Sequence, residues 1–338
     1  MSDDKTTIRD VRTRLGQVAP RKQRRTGHDL IGQVVLERYL VEAELGSGAM
    51  GTVYRGRHVK LARAVAIKVL HPELVDDRTM LARFRREAAA AARLRHPNVS
   101  GVLDVGESAG HQVMVMDLVE GVPLSELMTA PLARGRVLHL LREILRGLDH
   151  AHAAGLVHRD LKPDNIIVEL DAHGAEVPRI VDFGIAALRG DDVVTGGKLT
   201  ETGALIGTPL YMAPEQARGE RVDHRADLFA LGIMMFEMVT AALPFDGSAL
   251  EVVIANMNED LPAIAARAPG VAVDPVVERF LRRLAARDPA RRFASAHDAL
   301  EILQLLEDDP ADAALRLGQI DVARALAVVW LPAYNPPR

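Results

Sequence analysis

The sequence predicts an α+β chain in two parts: a small lobe of five antiparallel strands with one main helix, then a larger, mainly helical lobe. Three observations predict it. Short β-branched and aliphatic segments crowd residues 30–119, interrupted once by a helical period over 78–95. From residue 124 onward the texture turns helical, with only two short strand-like segments, near 166–169 and 178–181. Between the two textures lies "DLVEGVPL" (117–124), whose Gly and Pro punctuate the chain and mark a hinge near residues 117–121.

The elements follow in order. Residues 1–29 lack a sustained period and contain the cluster "RKQRR"; over residues 1–28 eight Lys or Arg stand against three Asp, the pattern of a basic flexible tail. "RYLVEAELGSGAMGTVYRGRH" reads as strand–turn–strand around a glycine-rich stretch. "RAVAIKVL" (63–70) is a short apolar strand holding one lysine. Leu81, Phe84, Ala88 and Ala91 fall at helical spacing, and His96-Pro97 closes that helix. Two more strands, about 99–106 and 112–118, complete the small lobe at 30–119. The large lobe, 120–307, carries helices at 124–129, 134–154, 223–241, 248–257, 273–286 and 295–307. Residues 308–338 form a C-terminal tail with the only Trp, Trp330; it packs on its own lobe or offers a docking surface.

Composition narrows the function classes. The chain has 338 residues, 42 Lys and Arg against 46 Asp and Glu, and a net charge of -4, which gives no push toward nucleic acid or a membrane surface. With no cysteine, disulfides, Cys-ligated zinc and thiol catalysis are excluded. The N-terminus has no apolar signal segment, and the apolar run 325–332 is far short of the roughly 20 residues of a membrane helix. A cytoplasmic protein with no membrane span and no nucleic-acid partner is expected.

Four motifs carry chemistry. In "GSGAMGTV", Gly46, Gly48 and Gly51 would let the backbone come close to phosphates, because no side chain intervenes. A plain β-turn is the rival reading. A dinucleotide-binding strand–helix turn is disfavoured, because another strand-like stretch follows the glycines and no acidic residue caps a second parallel strand about twenty residues on, where a Lys stands instead. Lys68 lies among Ala66, Ile67 and Val69, where an ammonium without a partner is costly. Glu87, on the predicted helix, is placed to satisfy it, either as a structural ion pair or as the clamp of a phosphate-gripping lysine. "HRDLKPDN" (158–165) sets Asp160, Lys162 and Asn165 in D-x-K-x-x-N spacing, and "DFG" (182–184) follows the apolar "RIV". An Asn and an Asp from adjacent strands suit a hard divalent cation with oxygen ligands, which describes Mg²⁺. Asp160 is left to accept a hydrogen bond from an incoming hydroxyl. Any one of these elements is compatible with a charged turn; all of them, in this order and spacing, are not.

Together these motifs resemble those of Hanks-type protein serine/threonine kinases, closest to the bacterial branch, over about residues 30–307. The resemblance implies a bilobal protein-kinase fold, ATP as phosphoryl donor with Mg²⁺ (or Mn²⁺), and Ser/Thr hydroxyls of protein substrates as acceptors. It implies that Gly46, Gly48 and Gly51 cover the phosphates, and that Lys68, paired with Glu87, holds the α- and β-phosphates. Asp160 would orient the hydroxyl and take its proton, Lys162 would neutralise the γ-phosphate, and Asn165 and Asp182 would bind the metal. Adenine would lie among Leu45, Val53, Ala66 and Ile167, with Met116 at its back and backbone groups of Asp117 and Val119 at the hinge. His158 would pack beneath Phe183, and Arg159 would read a phosphate. Thr208 would contact Asp160 and Lys162, Glu215 would pair with Arg292, and Asp227 would anchor the catalytic loop. "GTPLYMAPE" (207–215) favours a protein substrate over a small molecule.

Regulation is legible in outline. Thr200 and Thr202 in "KLTETGALIGT" are either trans-autophosphorylation sites or solvated loop hydroxyls. Four residues after Glu87, where many kinases place Leu or Met against the Phe of DFG, stands Ala91. Either the helix is poorly fastened, and a small-lobe homodimer or loop phosphorylation biases the chain to its active state, or a neighbouring side chain fills the gap. The rival function is a kinase-like nucleotide-binding scaffold, which usually lacks one of the Lys, Asp or Asn positions; none is missing here. His150 and His152, two apart on a helix, point to different faces and are not read as metal ligands.

Overall fold

The residues described by the computed structural model of the chain are 30–48, 51–72, 78–183 and 209–330. The small lobe is one antiparallel sheet of six strands in the order β1-β2-β3-β4-β6-β5. These are β1 (Val34–Val35), β2 (Tyr39–Gly48), β3 (Gly51–His58), β4 (Ala64–Leu70), β5 (Val102–Ser108) and β6 (His111–Asp117). The five strands expected gain a sixth because β1 folds back on β2 through Leu36 and Glu37, both at left-handed φ (49° and 60°). Two successive left-handed residues make the tight hairpin turn usually written with Asn-Gly. A Leu-Glu pair carries no such signal, so the two-residue strand escapes the pattern.

Strand β4 is the centre of the lobe, and its period of two sorts its side chains to opposite faces. Val65, Ile67 and Val69 pack with Val41, Tyr54 and Val113 on one side. On the other side Ala66 and Leu70 pack against Phe84 and Ala88 of helix α1 (Arg78–Ala91). Lys68 shares the second face, the one that also opens toward the large lobe.

The large lobe opens with β7 (Val122–Pro123), α2 (Leu124–Leu127) and α3 (Arg134–Ala153). β7 joins β8 (Ile166–Leu170) and β9 (Glu176–Ile180) in a three-stranded antiparallel sheet. Helices α4 (Pro214–Ala217), α5 (Arg225–Thr240), α6 (Ala249–Asn258), α7 (Ile264–Arg267), α8 (Pro275–Leu284) and α9 (Ala296–Asp308) follow. α5 is buried nearly all round, which is why its sequence shows no polar stripe. Where α5 meets the end of α8, a Cβ at Gly232 would sit 2.7 Å from Ala285, so a glycine sets how closely the two can pack. Beyond residue 308 two more helices, α10 (Pro310–Arg316) and α11 (Ile320–Trp330), put Ala313, Ala314, Leu317 and Ala323 into the large-lobe core. That is the self-packing alternative of the two weighed for this stretch. Among the described residues no helix is long and apolar enough to cross a membrane.

Arg292 and Glu215 hold the base of this lobe. Their side chains are 0% and 3% exposed and make two bonds of 2.6 and 2.7 Å. The same guanidinium donates to the carbonyls of Ala286, Arg225 and Arg287. Removing one partner of such a pair strands the other's charge in the interior, so Arg292→Ala is expected to cost about 3–5 kcal/mol in chemical denaturation. A loss below about 1 kcal/mol, the range of exposed pairs, would show that the pair is not structural.

Candidate active site

The loop "HRDLKPDN" is held from below by a single carboxylate. Asp227, in the first turn of α5 and 1% exposed, accepts the backbone N–H groups of His158 and Arg159, each at 2.8 Å. The His152 Nε2 meets the same carboxylate at 2.8 Å. Burial by itself pushes the Asp227 carboxyl up, but the His152 hydrogen bond, the two neighbouring imidazoles and the His158 N–H outweigh it and hold the group below the ordinary carboxylate range. Arg159 takes a left-handed φ of 63°, a conformation that disfavours side-chain-bearing residues and persists only where the surroundings fix it. Asp227 fixes its N–H, and the Gln216 amide fixes its carbonyl at 2.8 Å. The two histidines of "HAHAAG" diverge as their spacing requires: His152 reaches Asp227, and His150 stacks on His96 with ring centroids 5.2 Å apart.

From this base the loop rises into a cleft of about 710 Å³ between the lobes. The structure brings together here Leu45, Gly46 and Gly48 from β2, Gly51 and Val53 from β3, Ala66 and Lys68 from β4, and Met116 and Asp117 from β6. Val119 adds the hinge, Asp160, Lys162 and Asn165 the loop, Ile167 the strand β8, and Asp182 the start of the DFG segment. Lys68 is nearly buried, at 8% side-chain exposure, and its Nζ lies 2.8 Å from Asp182 Oδ2. Asp182 is also left-handed, with φ 63°. Phe183 is buried, edge-on to the His158 ring at 4.9 Å, and His158 Nε2 meets the Val181 carbonyl at 2.9 Å. The Asn165 amide donates to the Asp160 carbonyl at 2.8 Å, and Lys162 Nζ stands 4.0 Å from Asp160 Oδ2.

One expected contact is not made. Lys68 pairs with Asp182 and not with Glu87, whose carboxylate is taken instead by Arg86 at 3.1 Å. The Lys68 ammonium has donors for more than one carboxylate, so what keeps Glu87 from it is position: Glu87 is engaged by Arg86 beside it on α1. Ala91, 2% exposed, belongs to the same buried cluster as Leu94, Val99 and Phe183, and α1 meets that core through the methyl groups of Ala90 and Ala91. Gly184, Thr200, Thr202 and Thr208 lie outside the described residues.

Several features fit a nucleotide and a metal. A Cβ on Gly51 would lie 2.1 Å from the Val69 carbonyl oxygen, so the chain itself demands glycine there. A Cβ on Gly46 or Gly48 would meet nothing within 4 Å. The open space above those two positions is where phosphates would lie. The Val119 N–H has no acceptor among the described residues and stands in the cleft beside the apolar Ala66 and Ile167. Since the Asn165 nitrogen is used toward Asp160, its oxygen is free for a cation, and with the Asp182 carboxylate it forms an all-oxygen donor set suited to a hard divalent ion. Residues that the sequence did not single out also line the site or brace it. Gln216 is one and Tyr211 (hydrogen-bonded to Glu237 at 2.5 Å) another; His152, considered only as a metal ligand, braces the loop through Asp227.

The glycines separate by test. Gly51→Ala is expected to destabilise the fold by about 1–3 kcal/mol through overpacking. Gly48→Ala should leave stability within about 0.5 kcal/mol while weakening nucleotide binding, both read by thermal melts with and without ATP. Equal losses of stability would remove the distinction. A second expectation concerns pH. With its folded pKa depressed, Asp227 stabilises the fold fully above its unfolded value of about 3.9, and this is lost as pH falls through the folded pKa. The stability gap between the chain and Asp227→Asn should therefore be large at neutral pH and shrink on acidification; a gap independent of pH would contradict it.

Comparison with known proteins agrees with this geometry. Residues 39–304 match the family model described as protein kinase domain. The chain is 39% identical over 285 residues to the serine/threonine-protein kinase pkn3 of Myxococcus xanthus, covering 83% of this chain and 52% of that protein. Against the serine/threonine-protein kinase PrkC of Bacillus subtilis it is 36% identical over 272 residues, 80% of this chain and 40% of that one. The chain thus spans about half the length of such relatives. Among solved structures, the Mycobacterium tuberculosis PknI kinase domain superposes with a TM-score of 0.63 at 32% identity, over 81% of this chain and 97% of that one. By sequence and by fold, the chain belongs to the protein kinase domain family, among the bacterial serine/threonine-protein kinases.

Proposed function

We propose that the chain transfers the ATP γ-phosphate to Ser/Thr hydroxyls of protein substrates. The observation that carries this reading is the meeting of Lys68, Asp160, Asn165 and Asp182 in one cleft beneath Gly46 and Gly48. Phosphoryl transfer asks the protein for positioning and charge neutralisation more than for covalent chemistry. Asp160, held at the cleft mouth with its side chain 42% exposed, aligns the acceptor hydroxyl and takes its proton. Lys162 neutralises the transferred group, and Lys68 grips the inner phosphates. Asn165 and Asp182 hold Mg²⁺, or Mn²⁺ in its place, which screens the phosphate charge. Adenine sits against Ala66, Val53, Leu45 and Ile167, before Met116 and the Asp117–Val119 backbone.

Two regulatory assignments accompany it. Lys68 meets Asp182 and Glu87 meets Arg86, so an arrangement in which Glu87 holds Lys68 needs a bias that moves Glu87 from Arg86 to Lys68. We assign that bias to a homodimer through the small lobe or to a phosphate on Thr200 or Thr202 read by Arg159. Catalysis is placed in the cytoplasm, where ATP and Mg²⁺ are at hand.

Incubation with Mg-ATP and a generic basic protein, beside Asp160→Asn, tests the central reading: the variant should lose at least about 100-fold in rate. Equal turnover in both would point to a contaminating enzyme. Mixing active chain with Asp160→Asn should place phosphate on the inactive partner at Thr200 or Thr202, seen by mass spectrometry. Label confined to the active copy would exclude transfer between chains.

A further inference from the structure

Next to the short helix α4 the large lobe carries a groove of about 1000 Å³. It runs between the ends of α6 and α8, the 288–292 turn and the residues after α10, and arginine dominates its lining. Half of these arginines are neutralised by carboxylates: Arg282 by Glu278, Arg287 by Asp260, Arg292 by Glu215 and Arg316 by Asp312. The others are not. Arg218 donates to the Met257 carbonyl at 2.6 Å, and Arg279 to the Leu317 carbonyl at 3.2 Å. Arg283 donates to the Arg316 carbonyl at 3.4 Å and lies over the Phe293 ring at 4.6 Å. Arg291 is exposed and meets no carboxylate among the described residues. A carbonyl orients a guanidinium without cancelling its charge. These four cations therefore outweigh the two carboxylates left in the groove, Glu220 and Asp288, in a chain whose net charge is negative.

We propose that this groove docks an Asp/Glu-rich segment of the protein substrate, outside the residues that enter the cleft. The assignment rests on the kinase reading above and adds to it the class of substrate. Its position supports the role: Gln216 lines the cleft and Arg218 lines the groove. The two are only two residues apart, so the linings of cleft and groove adjoin at this stretch of chain. Its floor supports a peptide over a nucleic acid. The apolar lining is aliphatic, Met257, Leu261, Pro289 and Leu317, with no aromatic ring among the described residues to stack a base. Planar guanidiniums held by carbonyls are preset for bidentate carboxylate binding, and the entropy lost on binding is correspondingly small.

The test uses the full chain and two acceptor peptides that differ only by an Asp/Glu-rich extension. The extension should lower KM about five- to thirtyfold at unchanged kcat, the effect of a few exposed charge pairs acting together, and high salt should erase the gain. The variant Arg218→Gln/Arg279→Gln/Arg291→Gln keeps hydrogen-bond donors at these positions. It should abolish the gain and leave the unextended peptide's KM and kcat as they were. If that variant melts early, Arg291→Gln alone, which breaks no bond in the chain, should remove part of the gain. An extension without effect on KM, or a gain that survives the substitutions, overturns the proposal and leaves the kinase reading standing. Binding of the extension alone to Asp160→Asn protein, followed by fluorescence anisotropy, is independent of turnover. Binding that the arginine substitutions abolish, with no peptide phosphorylated, would keep the groove and sink the kinase reading. A single-stranded oligonucleotide of equal charge that binds more tightly than the peptide overturns the assignment to protein.

Discussion

The geometry of the site depends on one buried carboxylate. Asp227 collects the N–H groups of two consecutive residues, His158 and Arg159, and so dictates the direction in which the loop leaves α3. A backbone turned into the left-handed region at Arg159 is unstable by itself; two hydrogen bonds to a charged acceptor, each stronger than a neutral one, hold it. Asp160 follows directly, and its carbonyl in turn takes the Asn165 amide. Asn165 then receives the Val181 N–H on its own carbonyl at 2.9 Å, one residue before Asp182. Asp160, Asn165 and the strand that delivers Asp182 therefore form a hydrogen-bonded chain that starts inside α5. A helix packed on all sides is a rigid place to start it.

The two lobes meet electrically through Lys68 and Asp182. Under the proposed function each has a second task, one toward phosphate and one toward a cation, and each keeps bonding capacity beyond the shared contact, since an ammonium has three donors and a carboxylate two oxygens. Attraction between them at 2.8 Å is stronger for being shielded from water. A nucleotide with its metal offers each partner a replacement: phosphate oxygens for the ammonium and a divalent ion for the carboxylate. The cost of parting them is then offset on both sides at once, whereas phosphate or metal alone would leave one charge unmatched. Glu87 stands outside this exchange, engaged by Arg86 beside it on α1.

What the sequence disclosed follows from how local each signal is. The glycine run, Lys68, the Asp160–Asn165 spacing and the DFG segment could be read because each motif is short and its chemistry is unusual for a plain surface turn. The architecture could be read because burial imposes a period of two on the strands and of 3.6 on the helices. The hairpin at Leu36-Glu37 could not, since its turn uses residues that do not advertise left-handed φ. The partner of Lys68 could not either: both carboxylates are in the sequence, and only the fold decides which comes nearer. His152 illustrates the same limit. Its spacing from His150 implied different faces, and the two rings do take different partners, but nothing in "HAHAAG" names a carboxylate 75 positions away.

Besides the Lys68–Asp182 pair and the stacked His96 and His150 rings, two groups of hydrogen bonds brace the junction of the lobes. One is the hinge, where the Asp117 N–H bonds the Gly101 carbonyl, the Asp117 carbonyl accepts from Ser100 Oγ, and Arg63 grips the Asp117 carboxylate. The other is the buried Asn98, whose amide binds the Pro178 carbonyl while its own carbonyl takes the Ile180 N–H. Ser100 extends that attachment by donating to the Ile180 carbonyl, and a Cβ on Gly147 of α3 would come within 3.0 Å of the Asn98 oxygen. These bonds, with the Lys68–Asp182 pair, tie the small lobe to β9 and to the start of the DFG segment. None of them involves the Asp227-anchored loop, so that loop is held by the large lobe independently of them.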